Sequence, residues 1–110
     1  MINKEIISDT DSVYNYMDGD QVLGYLEIRL VDGVVDIMNL FVTEENRRHG
    51  IATALMNEMI EKEDYSRIML EVNENNNEAL RIYSKLGFKE INLRERYYGE
   101  DTAIIMEKVK

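Results

Sequence analysis

The sequence predicts a mixed α/β fold: a mostly antiparallel sheet with one parallel crossover and two main helices, in the order β-β-β-α-β-α-β-β. Residues 22–30 alternate as in a half-buried strand, with an apolar or small residue at every even position. Residues 51–63 instead repeat apolar side chains at helical spacing. A strand, this helix and another strand follow one another over residues 34–72, which implies a parallel crossover.

The composition of the chain already argues against several classes of site and partner. The chain has 110 residues, enough for one domain with one hydrophobic core, and is 45% hydrophobic, which argues against disorder. It contains no Cys, and His49 is its only His, so we expect neither a metal site nor a catalytic triad. The net charge of −9 disfavours nucleic acid as a partner and suits a cationic acceptor such as an amine. Without an apolar stretch long enough for a membrane span or a recognisable signal peptide, we expect no membrane partner and a cytoplasmic location.

The first half of the chain predicts three antiparallel strands. The first strand is expected at Ser12–Met17 and ends in a polar turn at residues 18–20. The alternating strand follows at Val22–Leu30, and Asp32-Gly33 is a strong signal for a two-residue hairpin turn. Val34–Val42 is apolar nearly throughout, which is typical of a central strand covered on both faces.

The second half predicts two helices and three strands. After a polar loop at Thr43–Asn46, the apolar stripe of the first helix consists of Ile51, Ala52, Leu55, Met56, Met59 and Ile60. Ser66–Val72 is expected to be the parallel strand, and a sheet of mixed strand directions can splay there and leave a crevice for a ligand. The second helix presents on one face Ala79, Ile82, Tyr83 and Leu86. Two last strands, Lys89–Tyr97 and Thr102–Val109, enclose a turn at residues 99–101.

Residues 47–52 place two Arg, one His and one Gly between the apolar strand and the first helix. Cations at a helix N-terminus oppose the helix dipole, at roughly 0.3–1 kcal/mol each at exposed sites. A bound anion offsets that cost, and free backbone N–H groups beside a small residue form a phosphate site. The loop therefore predicts a phosphate-bearing cofactor. A solvated charge cluster is the alternative interpretation of Arg47, Arg48 and His49.

Four motifs in order resemble those of the GNAT acetyltransferases. Arg47-x-x-Gly50-x-Ala52 resembles the loop with which that family binds the pyrophosphate of acetyl-CoA. The other motifs lie downstream and are Leu70-Glu71-Val72, Asn76-x-x-Ala79-x-x-Ile82-Tyr83-x-x-x-Gly87-Phe88, and Arg94-x-x-Tyr97-Tyr98 followed by Glu100-Asp101-x-Ala103-x-x-Met106. The last is similar to the branch that acetylates protein N-termini, typified by the ribosomal-protein alanine acetyltransferases. The resemblance covers about residues 20–110 and implies a GNAT-like fold, acetyl-CoA as cofactor and an amine acceptor.

The chemistry and the resemblance together assign a cofactor-binding set. Backbone N–H groups near Leu40, exposed where the sheet splays, would hold the thioester carbonyl and, by resemblance, pair with the pantetheine arm. Those of the loop would cap the pyrophosphate. Asn76 is explained by a helix N-cap, and by resemblance it also contacts the cofactor arm. The expected cofactor-binding residues are Leu40, Phe41, Val42, Arg47, Arg48, His49, Gly50, Ile51, Ala52, Thr53 and Asn76.

Glu71 and Tyr83 are the expected catalytic residues. Glu71 lies between two apolar residues at the end of a strand, where partial burial would make it a better general base, directly or through a water. A solvated strand-end carboxylate is the alternative. Tyr83 is either a core tyrosine or, as the resemblance implies, the general acid for the CoA sulfur. Tyr97 and Tyr98 are expected either to bind substrate as walls of the acceptor pocket or to be ordinary strand-end aromatics.

The segment before Ser12 departs from the family pattern. GNAT members usually carry a strand and two helices there, and the helices form one wall of the acceptor groove. Met1–Thr10 is too short for these elements, so we expect a single GNAT-like domain over residues 1–110 that lacks them. The sheet would then expose apolar surface around Tyr14 and Tyr16, which a possible homodimer would cover. Folding of Met1–Thr10 back over the sheet edge is the alternative.

The sequence thus predicts an N-acetyltransferase that moves an acetyl group from acetyl-CoA to a primary amine. Roughly one α-amine in ten is neutral at pH 7, against a few lysines in ten thousand, so a protein or peptide N-terminus is the expected acceptor. The alternatives are a non-catalytic acyl-CoA-binding sensor or partner-binding module and an unrelated phosphate-binding domain. The presence of both Glu71 and Tyr83 favours the enzyme, because a sensor needs neither.

Overall fold

A computed structural model describes the backbone of residues 1–110 and every side chain except that of Tyr98. The described residues form one seven-stranded sheet with both α-helices packed on one face. The strands are β1 (Ile2–Ile6), β2 (Asp11–Asp18), β3 (Gln21–Val31), β4 (Val34–Val42), β5 (Arg67–Asn73), β6 (Lys89–Tyr98) and β7 (Asp101–Val109). The helices are α1 (Ile51–Lys62) and α2 (Asn77–Lys85), and a short 3₁₀ turn, Glu44–Asn46, precedes α1. Neither of the described α-helices is long and apolar enough to cross a membrane.

The sheet confirms the predicted fold class and, from β2 onward, the predicted order of elements. Its strands lie in the order β1-β2-β3-β4-β5-β7-β6, and β4 with β5 is the parallel pair among antiparallel ones. The α1 crossover explains the parallel pairing, because a chain that returns across a helix enters the sheet in the same direction. The apolar strand β4 therefore lies at the centre of the sheet.

The structure adds a strand that the sequence analysis did not expect. Ile2–Ile6 pairs antiparallel with β2, beginning with Ile2 opposite Tyr16. A tight turn links the two strands, in which the N–H of Ile7 donates to the carbonyl of Asp11 at 2.9 Å. The expectation that the first strand is missing was wrong, because five residues and a turn fit into the segment before β2. The described residues of that segment contain no helix.

Alternation along the strands separates a helix face from an open face. On the helix face of β3, Leu26 and Ile28 are fully buried and share the core with Leu55 of α1. Burial of each such side chain contributes roughly 1.5–3 kcal/mol. No described helix covers the other face, where Phe41 is 43% exposed and its ring centre lies 5.6 Å from that of Tyr25. β4 is thus covered on one face only, which corrects the expectation of a strand buried on both.

Tyr14 faces α1 instead of solvent, which corrects the expectation of exposed apolar surface around Tyr14 and Tyr16. Tyr14 is 1% exposed, and its hydroxyl donates to the carboxylate of Glu63 at the end of α1. The ammonium of Lys4 on β1 lies 2.7 Å from the same buried carboxylate. Burial, followed by the hydrogen bond to Glu63, raises the pKa of Tyr14. Since β1 pairs along this edge of the sheet, the homodimer expected there loses its basis.

Replacing Tyr14 with Phe removes one hydrogen bond from a buried carboxylate and keeps the ring in the core. The Tyr14→Phe variant is expected to lower the free energy of unfolding by about 1–3 kcal/mol, the usual cost of leaving a buried polar group short of a partner. Urea unfolding followed by circular dichroism measures this loss. The matched control is Tyr25→Phe on the open face, for which the loss should stay within about 0.5 kcal/mol. Equal losses in the two variants would show that the contact with Glu63 contributes nothing.

Candidate functional site

β4 and β5 pair over a short stretch and then separate. Residues 34–36 pair with residues 67–69, and beyond them the two strands are not hydrogen-bonded to each other. Met38 is an extra residue of β4 within its pairing to β3, and a bulge of this kind bends the strand and increases its twist. Between residues 37–40 and 70–73 this leaves a cavity of about 290 Å³, which we call the β4–β5 cleft. The splay expected from the mixed strand directions is therefore present.

Two backbone N–H groups of β4 are directed away from β3, that of Leu40 on the side of the β4–β5 cleft and that of Val42 on the side of the adjoining cavity beside α2. The N–H of Thr43 donates to the carbonyl of Leu23 at 2.9 Å. Because antiparallel bonding alternates along a strand, Phe41 also bonds to β3, whereas Leu40 and Val42 direct their N–H groups the other way. Phe41 thus turns its backbone to β3 and its ring to the open face, so the structure does not bring it together with the other expected cofactor-binding residues.

The start of α1 leaves backbone donors free beside an open space. The N–H of Ala54 donates to the carbonyl of Gly50 at 2.9 Å as the first bond of the helix, so the N–H groups of residues 51–53 have no acceptor within it. No atom lies within 4 Å of the position that a Cβ on Gly50 would occupy. Arg48 and Gly50 both have left-handed backbones, with φ of 67° and 79°, which is uncommon for a side chain as large as that of Arg48. Free donors, open space and an adjacent cation fit a phosphate group.

A series of adjoining cavities links these features. Cavities that share lining residues run from the start of α1, between β4 and α2, to the β4–β5 cleft and on to the open face. Tyr83 lines the part on the helix side together with Leu40 and Asn76. Glu71 lines both the cleft and a cavity of about 640 Å³ on the open face. We call this path the through-sheet groove, and Tyr83 and Glu71 lie along it on opposite faces of the sheet.

Three other expected residues take different positions. Asn76 caps α2, since its Oδ1 accepts from the N–H of Ala79 at 3.1 Å, and its amide N–H groups keep their donor capacity toward the groove. Arg47 donates from Nε to the carbonyl of Val42 at 3.0 Å and so ties the loop to the end of β4. His49 is exposed and does not line the cavities of the through-sheet groove.

Glu71 lies on the open face, past the point where β4 has diverged from β5, and its side chain is 31% exposed. The guanidinium of Arg94 lies 3.2 Å from its carboxylate, from Nη1 to Oε1. The same guanidinium lies 5.3 Å from the ring centre of Tyr97, and all three side chains line the open-face cavity. Tyr97 is thus placed beside Glu71, whereas the side chain of Tyr98 lies outside the described residues.

The ring of Tyr83 is buried while its hydroxyl faces the groove. Tyr83 is 7% exposed, and its ring centre lies 5.8 Å from that of Phe88. Within the described part of the chain, every buried side-chain N or O atom has a hydrogen-bond partner. The hydroxyl of Tyr83 has no such partner, so the hydroxyl oxygen is not a buried atom although the ring is. Solvent reaches it from the groove. Burial raises the pKa of Tyr83, which keeps its phenol protonated.

Several cations along the groove have no role predicted from the sequence. Arg81 and Lys85 line its outer end, and Arg94 contacts Glu71. A signal for the first two was available, because residues four positions apart share one helix face. Arg94 opens the fourth motif of the family resemblance, but its contact with Glu71 joins strands that are distant in sequence and could not be predicted from it.

Comparisons with known proteins agree with this geometry. A model described as the acetyltransferase (GNAT) family matches residues 3–88. An N-alpha-acetyltransferase of Sulfurisphaera tokodaii is 39% identical over 75 residues, and one of Saccharolobus solfataricus is 34% identical over 104 residues. These matches cover 63% and 86% of this chain but only 45% and 62% of the two relatives.

A solved structure shows the same fold. The crystal structure of the ribosomal-protein-S18-alanine N-acetyltransferase from Escherichia coli matches with a TM-score of 0.88 and 24% identity, over 93% of this chain and 70% of that one. The family model itself covers more than half of the chain. The chain therefore belongs to the GNAT acetyltransferase family.

Proposed function

We propose that this member of the GNAT family transfers an acetyl group from acetyl-CoA to a primary amine, and that the acceptor is the α-amine of a protein or peptide N-terminus. The observation that carries the proposal is the through-sheet groove. It joins a helix start that fits phosphate to a tyrosine hydroxyl on one face of the sheet and a carboxylate on the other. The names of the two archaeal relatives, both N-alpha-acetyltransferases, support this acceptor.

The residues of the groove would hold acetyl-CoA from the start of α1 inwards. The N–H groups of residues 51–53 and the side chain of Arg48 bind the pyrophosphate. Leu40 and Val42 direct N–H groups toward the pantetheine arm and the thioester carbonyl, and Asn76 donates to the same arm. When bound, acetyl-CoA supplies an acetyl group activated as a thioester. Phe41 and His49 have no part in this binding mode.

The chain's own contribution to the chemistry is the movement of two protons. On the open face, Glu71 accepts a proton from the incoming ammonium group through a water. Arg94, 3.2 Å away, holds that carboxylate in position. On the helix face, Tyr83 donates its hydroxyl proton to the departing sulfur. Burial raises the pKa of Tyr83 above the usual phenol value of about 10, so the donor is protonated at neutral pH.

The acceptor reaches Glu71 from the open face. The cavity there is lined by two carboxylates, Asp36 and Glu71, by two guanidinium groups, those of Arg29 and Arg94, and by an aromatic wall at Tyr97. The cavity lining is therefore balanced in charge, and it is the net charge of −9 on the whole chain that attracts a cationic amine. An α-amine, with a reference pKa of about 7.7–8.0 against about 10.4 for lysine, loses its proton to a single carboxylate more readily. A cytoplasmic location stays a prediction of the sequence, and so does a homodimer, although the burial of Tyr14 removes the exposed surface from which the homodimer was predicted.

Gly50→Glu is expected to abolish binding of acetyl-CoA and CoA. The substitution puts a carboxylate at the start of α1, where it repels the phosphates. The added Cβ has open space around it, although the φ of 79° is strained for any side chain. Isothermal titration calorimetry with CoA should show a loss of affinity of about 100-fold or more. Gly19→Glu is the matched control, because Gly19 also has a positive φ, 60°, and open space around it but lies in the β2–β3 turn. Unchanged CoA affinity in Gly50→Glu would contradict the assignment.

Glu71→Gln and Tyr83→Phe are each expected to lower kcat by about 10²–10⁴-fold, the usual scale for a general base or acid. CoA release is followed with a peptide whose α-amine is its only primary amine, and CoA affinity should change little in either variant. Glu107→Gln is the control, because it removes a carboxylate that pairs with Arg67 on β5, 3.0 Å away, and should keep kcat.

Full turnover in either catalytic variant would show that its residue is structural. If the unaltered chain bound CoA but released none from acetyl-CoA with any amine, the non-catalytic acyl-CoA sensor would replace the enzyme. Turnover on lysine side chains in preference to α-amines would keep the enzyme and overturn the proposed acceptor.

A further inference from the structure

The end of the β6–β7 hairpin that carries Tyr97 extends past the ladder between β5 and β7. The last residue pair of that ladder joins Asn73 to Ala103, and the pairing of β6 with β7 becomes irregular beyond the same Ala103. We call residues 95–102, which lie past this point, the hairpin tip. Within it Arg96 has a left-handed backbone, with φ of 54°. The position of the tip, and of Tyr97 at the open-face cavity, is therefore not fixed by the regular ladder alone.

Three hydrogen bonds hold the hairpin tip against the end of β5 and the loop that follows it. The N–H of Glu74 donates to the carbonyl of Thr102 at 2.9 Å, and Oε2 of the same Glu74 accepts from the N–H of Thr102 at 2.7 Å. The side-chain amide of Asn73 donates to Oδ2 of Asp101 at 3.1 Å. Both side-chain bonds are accepted by carboxylates, and such bonds are stronger than those between neutral groups. We call these four residues the tip clamp.

The segment that anchors the hairpin tip also positions Asn76. The carbonyl of Asn73 accepts from the N–H of Asn76 at 2.9 Å, and the side-chain oxygen of Asn73 accepts from the N–H of Asn75 at 2.8 Å. Asn76 lines the β4–β5 cleft and the cavity beside α2, and Asn73 lines the cleft as well. One hydrogen-bonded turn therefore contacts both the cofactor side of the site and the hairpin on its acceptor side.

The two carboxylates of the tip clamp act on the aromatic wall of the acceptor site. Neither Glu74 nor Asp101 lines the cavities of the through-sheet groove. Their contacts fix the hairpin tip, and Tyr97 lies within that tip. The ring centre of Tyr97 lies 5.3 Å from the guanidinium carbon of Arg94, which in turn pairs with Glu71. Displacement of the tip therefore moves the aromatic wall relative to the general base.

We propose that Glu74 and Asp101 are positioning residues for the acceptor, and that they hold Tyr97 where it contacts a peptide whose α-amine lies at Glu71. This inference rests on the proposed function, since it needs an acceptor bound in the open-face cavity. Loosening the tip clamp leaves the cofactor site and Glu71 in place, because neither the β5–β7 ladder nor the cap of α2 depends on it. It therefore weakens the binding of peptides and leaves the chemical step unchanged.

The test measures kcat and KM for a tetrapeptide acceptor and for an amino-acid amide, which carries the same α-amine without the rest of the peptide. Glu74→Ala is expected to raise the KM for the tetrapeptide about tenfold with kcat unchanged, the signature of lost substrate binding. The KM for the amide should change less than about twofold, and CoA affinity should stay the same. Glu74→Gln should restore most of the tetrapeptide KM, because its side-chain oxygen accepts the same hydrogen bond from Thr102. Asp101→Ala and Asp101→Asn should repeat this pattern, and Glu90→Ala is the matched control, because Glu90 is an exposed carboxylate near the opposite end of β6.

A double variant shows whether the tip clamp acts through Tyr97. Tyr97→Ala alone should raise the tetrapeptide KM, and adding Glu74→Ala should then raise it less than about twofold further, because the side chain that Glu74 positions is gone. An additive rise in the double variant, an equal rise for the amide, or a parallel loss of CoA affinity would each reject the positioning role while acetyl transfer stood. An equal rise in Glu90→Ala would reduce the effect to net charge. If the unaltered chain acetylated neither acceptor, the proposed function itself would fall and this inference with it.

Discussion

The site depends on the early end of the parallel pairing between β4 and β5. Residues 34–36 bond to residues 67–69, and the strands then separate. If the ladder continued, β5 would accept the N–H groups of Leu40 and Val42, and no path would cross the sheet. The buried ring of Tyr83 and the open-face carboxylate of Glu71 would then lie on two faces of a closed sheet. The divergence is therefore what allows one ligand to reach both.

Neighbouring elements hold the divergence in a fixed geometry. Gly24 of β3 lets β4 and α1 approach closely, because a Cβ there would lie 2.8 Å from the carbonyl oxygen of Phe41 and 3.2 Å from Cγ2 of Ile51. Arg47 donates a hydrogen bond to the end of β4 and thereby fixes the position of the loop relative to that strand. The start of α1 is thus positioned by the same strand that lines the β4–β5 cleft. Phosphate site and cleft are consequently built as one unit.

The sequence predicted those parts of the site that depend on local chemistry. The basic loop before α1, the cap at Asn76 and the alternation along β3 are local patterns with a direct physical cause, and the structure contains all three. The sequence does not show which residues of β4 direct their N–H groups toward β3, because this depends on the register between the two strands. The backbone bonding of Phe41 to β3 could therefore not be predicted. The position of Glu71 beside the cleft follows from the divergence of β4, and the burial of Tyr14 follows from a long-range contact with Glu63. The short β1 was missed because most of its residues are exposed and show no amphipathic pattern.

The most direct test of this account is a titration of the chain with acetyl-CoA, followed through the backbone amide signals in NMR spectra. The central claim is that the ligand enters at the start of α1 and lies in the β4–β5 cleft. The amides of Leu40, Val42 and residues 51–53 should then show the largest shifts, and those of β1 and β2 should change little. Shifts confined to the open face, or spread evenly over the sheet with none at the start of α1, would contradict the claim.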